Sequence, residues 1–177
     1  MTDSEIRRRT GMAGAVERMV TAWALVGGLV LIAVVAFNVL EVLTAMTRPL
    51  TGYRFNGAVE LTAMGSAIAA FCFLPYCQLT DANVTADIFT ARASPRAIAI
   101  FKLAASIVAI AFALLLLWRM SEGMTDQRAY GYTTTVRNIP VWWAFVPIVI
   151  SLALLALASI VTLIEQGRAA VTGDDTA

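Results

Sequence analysis

Side chains able to do chemistry are sparse in this chain. It has no histidine. That removes His-ligated haem, His-based metal sites and imidazole acid–base catalysis together. Cys72 and Cys77 lie in one apolar run. Two thiols alone cannot complete a zinc or iron–sulfur site. Five positions apart on a helix they do not share a face closely, which disfavours a disulfide. They read as small buried hydrophobes. Glu41 and Glu60 flank apolar runs, and Asn38 lies one turn before Glu41. Deep in a membrane such groups would mark a proton or cation site. At span ends they reach water or pair with Arg48 or Arg54, and this second reading is preferred. Asp and Glu are absent from the middle of every long apolar run. No nucleophile with a base, no phosphate-binding glycine loop and no central carboxylate pair is present. The expectation is no enzyme, no metal and no cofactor.

The elements that carry these groups follow from composition. The chain has 177 residues, 59% apolar and 14% charged, with a mean hydropathy of +0.77. A soluble domain runs at about 45–50% apolar and about 25% charged. One core of this size could not hide so much apolar surface from water, so lipid is the fitting solvent. Thirteen basic residues against 12 acidic ones leave no basic face for nucleic acid. A membrane-spanning helix needs about 20 apolar residues. The charge-poor runs supply four spans, at about 19–40, 61–80, 98–118 and 140–164. The fold class is therefore an all-α integral membrane protein. A basic leader, 1–18, precedes the four-span domain at 19–165, and a polar tail, 166–177, follows it. The first apolar run exceeds the roughly 7–15 residues of a signal peptide, which marks a retained anchor.

Orientation follows the basic residues. Eight of them (Arg7, Arg8, Arg9, Arg18, Arg92, Arg96, Lys102 and Arg168) fall on the side of the termini, and five (Arg48, Arg54, Arg119, Arg128 and Arg137) on the other. Both termini should face the cytoplasm. Between the second and third spans, Val84, Ile88 and Ala91 recur at i, i+4 and i+7 among Asp81, Asp87 and Arg92. That predicts a short amphipathic helix at the interface. The leader, with Ile6, Met12, Val16 and Met19 among its arginines, is also expected on the anionic inner leaflet. Residues 119–137 form the longest exterior loop.

Small residues at four-residue spacing let helix backbones approach closely in lipid. Candidate faces are Ala105, Ala109 and Ala113 in the third span, Gly65 with Ala69 and Ser66 with Ala70 in the second, and Ala24 with Gly28 in the first. Pro75 and Pro147 should bend their spans. Lys102 and Arg119 are expected to reach lipid phosphates, and Trp142 and Trp143 to anchor at the boundary. Pro140 suits the first turn of the fourth helix.

The order of these features is more specific than any one of them. A basic leader is followed by a second span that opens with Glu60. Then come Asn83-Val84-x-x-Asp87, a third span ending in Trp118, a Tyr- and Thr-containing loop, and Ile139-Pro140-x-Trp142. Over residues 18–165 this resembles the small membrane subunit of tripartite ATP-independent periplasmic (TRAP) transporters, the DctQ-type family. Family members often have histidine at the position of Asn83. Many also carry an arginine near the exterior end of the first span, where this chain has Asn38-Val39-Leu40-Glu41. The resemblance implies an inner-membrane subunit partnered by a large permease subunit and a periplasmic substrate-binding protein. The large subunit would hold the sodium and organic-acid sites, and the small one would steady its static scaffold. Glu60, Asn83, Asp87, Pro140, Trp142, Ala105, Ala109 and Ala113 become candidate structural or interface residues. Lys102, Arg119 and Trp143 become candidate lipid anchors. Rival readings are the small subunit of another tripartite carboxylate carrier, a self-contained exporter with a cation on Glu41 or Glu60, and a haem-free quinone anchor.

Overall fold

The computed structural model describes residues 12–52, 57–80 and 95–172. Four helices account for most of them: α1 (Met12–Thr51), α2 (Ala58–Leu79), α3 (Pro95–Ala129) and α4 (Trp142–Thr172). Each contains a stretch long and apolar enough to cross a membrane. The interfacial helix expected between the second and third spans, with Asn83 and Asp87, lies outside the described residues.

The helices run longer than the charge gaps. α1 has 40 residues, about 60 Å at about 1.5 Å per residue, against a hydrocarbon core of about 30 Å. It begins within the basic leader because nothing from Ala13 to Val20 breaks a helix. There Arg18 Nε donates back to the Gly14 carbonyl at 3.3 Å. Val16 and Val20 pack with Leu79, Ala158 and Val161, so this part of the leader belongs to the bundle. α3 likewise continues past Arg119 to Ala129. Residues 119–129, read above as loop, are helical, and the connection proper begins at Tyr130. Gly131, with φ 64°, supplies the left-handed residue that ends α3. Tyr132 N–H reaches back to the Gln127 carbonyl at 3.3 Å, a Schellman closure.

The arrangement is a row rather than a square. α1 packs on α2, α2 on α4, and α4 on α3, with a smaller contact between α1 and α4. α4 is the central helix: 44% of its spanning window is buried, against 11% in α1 and in α3. The start of α1 meets the ends of α2 and α4. Both described termini therefore lie at one end of the bundle, and the loops before α2 and α4 lie at the other.

Close packing explains the α1–α2 pair. A Cβ on Gly27 would stand 2.6 Å from Cys72 Cβ, and one on Gly65 would collide with Val34 Cγ2. Val20 meets Leu79, and Asn38 Nδ2 donates to Thr62 Oγ1 at 2.8 Å. The partners at 20, 27 and 34 on α1 and 79, 72 and 65 on α2 repeat every seven residues. That spacing keeps one seam of two antiparallel helices in register. The same interval recurs at buried Ser106 and Ala113 on α3 and at buried Ala144, Ser151 and Ala158 on α4. Gly28, offered above with Ala24 as a packing face, has open space at its Cβ position. Ser66 and Ala70 are exposed, whereas Ala69 is buried. In α3, Ala113 is buried, Ala109 half-buried and Ala105 exposed.

Candidate functional site

Two polar centres stand out, one inside the bundle and one at its loop end. Inside, Trp23 Nε1 on α1 donates to Ser151 Oγ on α4 at 2.9 Å. The Ser151 hydroxyl donates to the Pro147 carbonyl at 2.7 Å, and Cys72 Sγ on α2 lies 3.7 Å from Ser151 Oγ. Serine has one proton to give. The Ser151 hydroxyl is thus shared between the Pro147 carbonyl and Cys72 Sγ. The cluster ties three helices together with neutral groups that use one another. Both cysteines are free thiols.

At the loop end, residues 132–141 fold back as a tight hairpin. Thr134 N–H bonds the Ile139 carbonyl at 2.9 Å, and Val141 N–H bonds the Tyr132 carbonyl at 3.0 Å. Thr133 pairs with Pro140 as an isolated antiparallel bridge. Ile139 N–H caps on Thr134 Oγ1 at 3.1 Å, and Asn138 turns the chain with φ 53°. The turn turns its amides toward Glu60. Val136 N–H donates to Glu60 Oε1 at 2.9 Å, and the amides of Thr135 and Arg137 and the Thr134 hydroxyl face the same carboxylate. The second oxygen, Oε2, is buried and makes no hydrogen bond of standard geometry. Successive amides converging on one point form an anion nest, and here the protein's own carboxylate occupies it. Glu60 also lies in the first turn of α2, where the helix dipole favours negative charge. A ring of N–H donors suits a carboxylate and repels a cation.

Gly57 makes the approach possible. It caps α2 with φ 95°, and a Cβ there would meet Arg137 Cγ at 2.7 Å. Any other residue would suffer both backbone strain and collision.

The remaining candidates fall around this end or apart from it. Arg128, at the end of α3, sits over the Trp142 ring, 5.4 Å from its centre, a cation–π contact that ties α3 to the start of α4. Trp142 meets Trp143 edge to face at 6.2 Å, and Trp143 is 59% exposed. α4 starts at Trp142, with Pro140 in the turn before it; Trp143 N–H bonds the Pro140 carbonyl at 3.2 Å. Arg119 pairs with Glu122 at 3.3 Å on the exposed surface of α3, a partner not foreseen above. Lys102 lies within α3. The Glu60–hairpin contact was not legible beforehand, because it joins residues 76 positions apart, and the Arg128–Trp142 contact depends on how the loop between them turns.

Among the described residues, no group of three His, Cys, Asp or Glu side chains gathers to hold a metal. Four helices of spanning length and apolarity define the class of small polytopic membrane proteins. The chain matches the family of tripartite ATP-independent periplasmic transporters, DctQ component, over residues 39–169, and it belongs to that family. No match is found among curated proteins or among solved structures.

Proposed function

We propose that this chain is the scaffold subunit of a sodium-coupled, binding-protein-dependent transporter of organic acids. In this reading it steadies a large permease subunit in the bacterial inner membrane and carries no substrate itself. The observation that supports it most is the character of the bundle interior. Its helices meet through small side chains and neutral polar groups, among them the bonded Trp23–Ser151 pair. An organic anion needs fixed donors or positive helix ends at mid-membrane depth. Exposed apolar faces remain on α1 (Leu25, Leu29, Ile32) and α3 (Ile107, Val108, Phe112), available to membrane lipids and to a larger helical partner. Reconstitution with and without the partner subunits tests the reading.

The termini are proposed to be cytoplasmic, from the eight-to-five distribution of basic residues. A reporter active only in the periplasm, fused after Ala177, should stay silent. Strong activity would invert the whole orientation and every assignment of a face.

The loop end then faces the periplasm and the substrate-binding protein. Tyr130 and Tyr132 are exposed there, with ring centres 5.8 Å apart, beside Arg128. Reversing the charge with Arg128→Glu should lower uptake several-fold. Membrane assembly should persist, because an exposed cation–π contact contributes only about 0.5–1 kcal/mol. Unchanged uptake after joint reversal of Glu122, Asp126 and Arg128 would exclude a docking role for these charges.

A further inference from the structure

We infer that Glu60 is a positioning residue for the periplasmic docking surface: it latches the 132–141 hairpin to α2 by filling the amide nest at Thr135–Arg137. Three independent features converge on this role. The hairpin's only regular ladder is short, and isolated two-stranded hairpins are at best marginally stable. It therefore needs an external hold. The nest supplies the donors, and Glu60 Oε1 takes the Val136 N–H at 2.9 Å. Gly57, one turn earlier, leaves the space into which Arg137 settles, so the hairpin is seated on α2 as well as bonded to it. On the other side the hairpin runs directly into Trp142, which Arg128 covers. Releasing the Glu60 end would free the turn at 133–139 to swing about the α3–α4 junction and away from Tyr130 and Tyr132, which stay bonded to the end of α3. The residue would thus govern where the docking surface stands, without touching substrate.

The uptake part of this inference rests on the proposed function, and the exchange part does not. The experiment uses the full complex and combines amide hydrogen exchange with uptake titrated against the loaded binding protein. In Glu60→Ala, the segment 133–139 should exchange about tenfold faster or more, the expected consequence of losing a bond to a charged acceptor. α2 and α4 should keep their protection. Glu60→Gln, whose amide oxygen still accepts from Val136, should restore part of it, and added formate should re-protect the emptied nest in Glu60→Ala. The half-saturating concentration of binding protein should rise several-fold with little change in maximal rate. Unchanged exchange at 133–139, or equal deprotection of all four helices, would overturn the latch. Local deprotection with an unchanged half-saturating concentration would overturn its role in docking. If the wild-type complex showed no uptake, the proposed function would fail, while exchange would still decide whether the latch exists.

Discussion

Purified alone into liposomes under a sodium or proton gradient, this protein is expected to accumulate no organic acid. Adding the large subunit and the loaded binding protein should bring uptake up from background. The reason lies in what the interior offers a charged solute. A carboxylate entering hydrocarbon must exchange water for fixed donors or a positive helix end. The indole N–H of Trp23 is committed to Ser151, and the Ser151 hydroxyl to Pro147. Asn38 gives its amide to the Val34 carbonyl at 2.7 Å and to Thr62. Pro75 and Pro147 lie inside helices and remove donors from the backbone. The carbonyls thereby released are acceptors, which an anion avoids. At the loop end the donors that do converge are filled by Glu60. Gradient-driven uptake by the isolated chain, abolished by Glu60→Gln, would make it a transporter in its own right.

The second large effect is expected from a single glycine. Gly27→Val should collapse the α1–α2 pairing, whereas Gly28→Val, one position on, should be nearly neutral. Even the first carbon added at Gly27 would stand 2.6 Å from Cys72 Cβ and 3.3 Å from the Ala69 carbonyl oxygen. Neither neighbour is the free end of a flexible side chain, so the helices themselves must separate. Overpacking of a tight core costs about 1–3 kcal/mol. Here separation would also stretch the bond from Trp23, one turn before Gly27, to Ser151. A Cβ at Gly28 meets nothing within 4 Å. Thermal unfolding in detergent and co-purification with the large subunit should both separate the two variants. Equal behaviour would refute the seam.

Much of the architecture was legible without coordinates. Four spans follow from charge gaps because an unpaired charge is costly in lipid and about 20 apolar residues are needed to cross it. The order Glu60, Asn83–Asp87, Trp118, Ile139-Pro140 pointed to the family, and the match over residues 39–169 agrees. Helix ends were less legible. Trp118-Arg119 marks where the apolar run stops, but a helix continues as long as nothing breaks it. α3 therefore runs on to Ala129, and the left-handed backbone of Gly131 closes it off.

The packing seam and the hydrogen-bond partner of Glu60 were decided by tertiary structure. Spacing of four made Gly28, Ser66 and Ala105 look equivalent to Gly65, Ala69 and Ala113, because alanine and glycine are common on every face of these helices. Only the antiparallel register, repeating every seven residues through Val20, Gly27 and Val34, selects one face from the others. That register is set jointly by two helices. Glu60 shows the same division. Its type and place at the start of a span were plain from the sequence, and its carboxylate was free to be a cation site or a structural anchor. Its hydrogen-bond partner lies in a turn 76 positions away, which takes shape only once α3 and α4 are joined by the hairpin. Local composition determines where a segment dissolves, in lipid or in water. The partner of a buried polar atom is determined by chain closure, which no local window contains.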